Sequence, residues 1–332
     1  MFVRYLNYCT SKSGQVVRII AGVLVWLAVL IMRLPEPTSR QWGEMLLLLA
    51  TLLLVPLSFR WFVPLAYGWH GWLWRGLHGL QLPAALSLVV AYKCFAPGIW
   101  ALVTAIPWCL ELVLLASFSL GTLVNPGCRT WLNWCLAIGA SFSVIGGVWM
   151  LCDRIGYRPM DFEADIVLLT AIHFHYAGYL LPTIAGLMVS DKPALWTKFS
   201  AIGTLTGVPL VAAGITTTHL LGHAWLESIA AVFLSLAGLL MAMGHLLAAY
   251  RHRQERWAAA LLGFAGLALA TAMVLAALYG VRFYATVHTL DIPQMRKWHG
   301  TFAALGFAAP ALLGWRKLRA SREREDADVN TC

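Results

Sequence analysis

Two histidines stand two residues apart inside an apolar run. The run is Asp165-Ile-Val-Leu-Leu-Thr-Ala-Ile-His173-Phe-His175-Tyr176-Ala-Gly-Tyr179-Leu-Leu-Pro182-Thr-Ile-Ala-Gly186. Imidazole binds Zn, Cu and Fe and exchanges protons near neutral pH. An ionisable side chain within a membrane span marks a functional site by default. Glu111 lies in the middle of another apolar run. His219, His223 and Glu227 recur every four residues, a ligand-like stripe if their helix is continuous. If the chain reverses at Gly222, only His223 and Glu227 share a face. His299 opens a later run.

These residues define the candidate chemistry. Glu111, Asp165, His173, His175 and Glu227 are the candidate acid–base groups. His173, His175, His219, His223 and His299 are the candidate metal ligands, with a transition metal or haem as the implied cofactor. Tyr176, Tyr179 and Trp225 would line a cofactor or a lipid-like ligand. Each also has a structural reading, as a hydrogen bond between helices for His173, His175 and Glu111, a hydrated turn for His219 and His223, and a solvated loop for Asp161 and Glu163.

Helix geometry constrains the pair. His173 and His175 lie about 200° apart around a helix, so they face opposite sides and do not share an ion without distortion. Pro182 has no amide hydrogen for the carbonyl of Gly178, which leaves room there for a kink or a ligand.

The elements that must position these groups are membrane spans. The chain has 332 residues, of which 60% are hydrophobic and 12% charged. Its mean hydropathy is +0.72, and its apolar runs reach the roughly 20 residues that cross a bilayer. An all-α, polytopic transmembrane bundle follows, read as a single membrane domain. Ten spans are expected near 17–33, 43–59, 79–95, 99–121, 131–152, 165–190, 199–218, 224–250, 257–281 and 298–315. A polar tail at 316–332 is expected to be disordered beyond about 325. Residues 61–78, rich in Trp and Gly, read as interfacial, with His70 and His78 at headgroup level. The run from 17 lacks a small-residue cleavage site after its apolar core and is kept as a span.

The net charge of +9 resides in loops and tail and speaks for topology, not for nucleic acid. Ten spans put both termini on one side, with Arg60, Arg75, Arg129, Lys192, Lys198 and the connector 251–256, which the positive-inside bias makes cytoplasmic. A bacterial-type inner membrane is the expected location. Span 6 then enters from outside, and His173 and His175 lie roughly 12–15 Å down it. Glu111 lies at a similar depth, about 18 Å along span 4. His245 falls at the inner end, and His252 and His288 fall in loops. The seven cysteines show no paired spacing and read as small buried hydrophobes.

Gly178-Tyr-Leu-Leu-Pro182-Thr-Ile-Ala-Gly186 is echoed by Gly306-Phe-Ala-Ala-Pro310-Ala-Leu-Leu-Gly314. The segments LTAIHFHYAGYLLPTIAGL, THLLGHAWLE and WHGTFAALGFAAPALLGW resemble those of the YndJ-like membrane proteins, over roughly residues 160–316. The resemblance implies a multispan fold and little chemistry. His173-Phe-His175-Tyr176 is also similar to the HFHY run of haem–copper oxidases, in which one helix serves two haems, but the adjacent-histidine copper motif is absent.

Three functions stay open. One is an intramembrane site that binds metal or haem, or does acid–base work on a lipid-like substrate. The second is a transporter or proton-coupled permease that uses the same groups as a relay. The third is an assembly partner in which they only pack helices. The expected partners are the bilayer and a small or lipid-like ligand.

Overall fold

The computed structural model describes residues 2–32, 37–62, 68–285 and 290–329. Arg33, Pro35 and His288 lie outside the described residues. Among those described there is no β-strand. The described residues form eleven helices, namely α1 (Phe2–Thr10), α2 (Lys12–Ile31), α3 (Ser39–Trp61), α4 (Gly68–Lys93), α5 (Ile99–Val124), α6 (Trp131–Ile155), α7 (Ala164–Asp191), α8 (Leu195–Leu221), α9 (Trp225–Arg251), α10 (Arg256–Gly280) and α11 (292–329). Eight of them, α2, α3 and α5 to α10, are long and apolar enough to cross a membrane. The protein is thus a polytopic helical membrane protein.

Local signals set the helix ends. Ser11 caps α2 through the amide of Gly14, and Thr38 and Gln41 form a reciprocal capping box at α3. Thr130 caps α6, which ends at Gly156 with φ 81°. Gly222, with φ 72°, ends α8, so the chain does reverse there. Asp291 and Gln294 box the start of α11.

Two expectations are corrected. The stretch 61–78 is not simply interfacial, because α4 starts at Gly68 and buries His70 and His78. The tail stays helical to Val329, as its Ala-, Arg- and Glu-rich sequence continues α11.

The sequence reads as one membrane domain, and packing groups it into two compact units, residues 1–183 and 184–332, which divide inside α7. In the first unit α3 is the axis. Its apolar window is 94% buried, against 28% for α2 and 39% for α5, so α3 is surrounded where those two are not. In the second unit α8, α9, α10 and α11 pack in sequence as antiparallel neighbours. Glycines let the backbones close up. A Cβ at Gly203 would lie 2.6 Å from that of Ala237, and one at Gly214 would lie 2.6 Å from Cα of Glu227.

Three helices widen to a π turn, at Ala50–Leu54 in α3, Phe174–Leu180 in α7 and Phe302–Ala308 in α11. Each ends two residues before a proline, Pro56, Pro182 or Pro310. A proline ring crowds the carbonyl four residues back, and the wider turn moves that carbonyl aside. Pro83, Pro107 and Pro209 lie in helices that stay α, so proline alone does not make the turn. The sequence echo at Gly178 and Gly306 is therefore also a shared local structure.

Candidate functional site

The π turn of α7 presents the residues singled out in the sequence. His175 is fully buried, whereas His173 is half-buried. Nδ1 of His175 donates to the carbonyl of Ala171 at 2.7 Å. Its Nε2 accepts from the indole Nε1 of Trp108 at 3.0 Å. A carbonyl only accepts and an indole only donates, so the ring is neutral with its proton on Nδ1. The Nε2 lone pair is thereby taken up by the Trp108 indole. Tyr176 donates to the carbonyl of Leu46 at 2.8 Å, and the Tyr179 hydroxyl meets Ser58 Oγ at 2.6 Å. Both tyrosines are buried with their hydroxyls engaged.

The first unit buries a second set of polar groups. Arg18, from α2, is 5% exposed. It donates to the His78 carbonyl at 2.7 Å and to His78 Nδ1 at 2.5 Å. His78 is therefore the other tautomer, with its proton on Nε2. Its ring sits between Phe59 and Trp74, at centroid distances of 5.2 and 4.1 Å. One turn on, Gln81 donates to the carbonyl of Thr51 at 3.1 Å.

Glu111, from α5, has no solvent exposure. Arg18 and the Tyr179 hydroxyl both lie within electrostatic range of its carboxyl group. Among the described residues neither carboxyl oxygen of Glu111 has a hydrogen-bond partner, nor do Arg18 Nε, His78 Nε2 and Gln81 Oε1. An unsatisfied buried polar atom costs about 1–3 kcal/mol. Native structures keep few of them, and those kept call for a functional or solvation reason. These two open donors and three open acceptors, buried in the first unit, are the groups there with hydrogen-bonding capacity to offer a polar guest or a proton.

An ion network closes one end of the first unit. Arg40 reaches Asp153 at 2.5 Å and Asp165 at 3.3 Å. Lys93 pairs with Glu44 at 3.0 Å, Arg154 with Asp153 at 2.6 Å, and Tyr92 donates to Asp153 at 3.1 Å. Beside it lies a cavity of about 240 Å³ lined by Arg40, Asp153, Tyr157 and Arg158. Asp165 thus belongs to an ion pair at a cavity edge. Asp161 and Glu163 are exposed.

The remaining candidates lie in the second unit. Glu227 is buried and pairs with Arg282 at 2.7 Å. The Arg282 guanidinium stacks over Tyr279 and Phe283 at 3.9 and 4.0 Å. The helix reversal at Gly222 leaves His219 and His223 exposed, while Glu227 is buried. Trp225 is 54% exposed. His299 donates through Nδ1 to the carbonyl of Ala272 at 2.9 Å. Among the described residues no three His, Cys, Asp or Glu side chains are grouped to hold a metal ion.

Arg18, His78 and Gln81 were not expected at the site. Arg18 carried a signal, a lone charge inside an apolar run. His78 was masked by its Trp-rich surroundings.

Residues 45–307 match the family model described as YndJ-like protein. The chain is also 30% identical over 175 residues to a Bacillus subtilis (strain 168) protein named "Uncharacterized membrane protein YndJ". That alignment takes in 52% of this chain and 30% of the relative, so the chain covers less than a third of that protein. No solved structure matches. Glu111, His78, Gln81, Tyr179 and His175 lie inside the family match, and Arg18 precedes it.

Proposed function

The chain belongs to the YndJ-like family, and on that premise we propose that its first unit is the core of a proton-coupled permease centred on Glu111. The observation that carries this reading is a fully buried carboxyl group with no hydrogen-bond partner among the described residues, within electrostatic range of the buried Arg18. Such a group is expensive as a structural element. It is useful as a switch, because it can pair with Arg18 when ionised and release it when protonated. The Nε2–H of His78 supplies a donor beside Arg18, and the Tyr179–Ser58 hydroxyl pair supplies a second relay point. Gln81 Oε1 supplies an acceptor for a polar substrate.

The test is proton flux into liposomes that hold the full chain and a pH-reporting dye, under an imposed gradient. Wild type should acidify the lumen, and Glu111→Gln should fall to the rate of protein-free liposomes. Equal rates for the two proteins would remove Glu111 from the path.

A second reading, acid–base chemistry on a lipid-like substrate, is supported by the cavity beside Arg40 and the Asp165 pair. It requires Asp165→Asn to abolish turnover of a lipid-like substrate while flux through the Glu111 path persists.

A further inference from the structure

One carboxylate in the second unit gathers more cations than it can neutralise. Asp191 closes α7, and its side chain is 3% exposed. Arg251 reaches it at 2.5 Å, Arg322 at 2.7 Å and His252 at 2.9 Å. Two guanidiniums against one carboxylate leave a positive charge in excess, before any charge on His252. Each guanidinium carries five N–H donors. Asp191 takes a single terminal nitrogen from each. Arg251 is 32% exposed and Arg322 55%, so the other donors open outward.

The surroundings add to the surplus. Lys192, Arg253 and Arg256 are exposed at the same helix ends. Among the described residues, Glu255 is engaged by the Ser321 hydroxyl at 2.9 Å and Glu323 by Arg319 at 2.9 Å. Large apolar side chains ring this end, with Trp257 77%, Leu195 71% and Tyr250 68% exposed. Exposed aromatics beside cations are the composition of the headgroup boundary.

We propose that this hub seats the phosphate of an anionic phospholipid headgroup, held between the open edges of Arg251 and Arg322. Guanidinium forks match phosphate oxygens geometrically. Asp191 fixes the two forks in place and cancels one charge, so a single negative headgroup balances the site. The apolar ring favours a lipid over a free anion, because acyl chains can lie along it. The site is independent of the Glu111 reading.

The test uses the full chain in nanodiscs of phosphatidylcholine alone or mixed with phosphatidylglycerol. Arginine modification by phenylglyoxal is read residue by residue by mass spectrometry. Phosphatidylglycerol should slow modification of Arg251 and Arg322 by about fivefold or more, the effect of one strong charge contact at a membrane surface, and should leave Arg253 nearly unchanged. Absence of protection overturns the proposal. So does equal protection of Arg253, which marks a diffuse field, or equal protection by inorganic phosphate in phosphatidylcholine discs, which marks a free-anion site. Arg251→Gln with Arg322→Gln should also erase the thermal stabilisation that phosphatidylglycerol gives wild type, while Lys192→Gln keeps it. If the double variant does not fold, the wild-type footprint decides.

Discussion

Trp108 gives its indole hydrogen to Nε2 of His175 across 3.0 Å of buried protein, and Nδ1 of the same ring donates to its own helix at Ala171. The second unit repeats the arrangement, with Trp315 donating to His245 at 3.2 Å and His245 Nδ1 donating to Met241 at 2.8 Å. In both, one tautomer of a neutral imidazole ties a helix to a tryptophan on another helix. Trp108→Phe leaves the Nε2 acceptor unmet and should destabilise the protein by about 1–3 kcal/mol. His175→Leu in the Trp108→Phe background should cost less than His175→Leu alone, with a coupling of about 0.5–3 kcal/mol in denaturant unfolding. Additive losses would show that the bond carries no energy.

The Glu227–Arg282 pair makes a different prediction. Glu227 is buried and Arg282 a quarter exposed. Arg282→Met strands a buried carboxylate and should cost about 3 kcal/mol, the low end for a broken buried pair because solvent reaches the arginine. Adding Glu227→Leu should recover most of that loss. A double variant as unstable as the single would mean that Arg282 acts through its stacking on Tyr279 and Phe283 instead.

Glycine packing can be tested by contrast. A Cβ at Gly214 would lie 2.6 Å from Cα and 2.8 Å from N of Glu227, and backbone cannot move aside cheaply. Gly214→Ala should lower stability by about 1–3 kcal/mol. At Gly263 the nearest atom would be Ala249 Cβ at 3.7 Å, an ordinary contact. Gly263→Ala should raise stability by about 0.5–1 kcal/mol through helix propensity. The two variants should move the thermal midpoint in opposite directions.

Glu111→Gln separates function from folding. The carboxyl group has no hydrogen bond to lose among the described residues. The thermal midpoint should hold or rise while flux disappears. A fall equivalent to about 2 kcal/mol or more would assign Glu111 a structural role through Arg18.

Much of this architecture was readable from hydropathy. The runs that became α5 to α10 were located to within a few residues, and Gly222 marked the reversal between α8 and α9. The buried carboxyl of Glu111 was also legible, because a charge in mid-run has no cheap alternative. The partners of these groups were less so. Trp108 meets His175 from another helix, and no local pattern records such a pairing. His78 stands in a stretch whose Trp and Gly content suits an interface and a helix packed against α1 and α5 equally well. Pro182 hinted at a distortion, yet Pro107 gives the same hint in a helix that stays regular.

The π turns change how the rest of each helix must be counted. Such a turn holds one residue more than an α turn, so every later side chain is rotated by roughly 100° from its place on a regular wheel. In α7 the extra residue falls between His175 and Pro182. A wheel drawn from Ala164 therefore misassigns Thr183 to Asp191 by more than a quarter turn. An inserted residue in the middle of a span would ordinarily scramble its contacts. Here it acts as a phase adjuster, which lets one helix keep two unrelated sets of faces, one tuned to His175 and Tyr179 and the other to the segment that ends at Asp191.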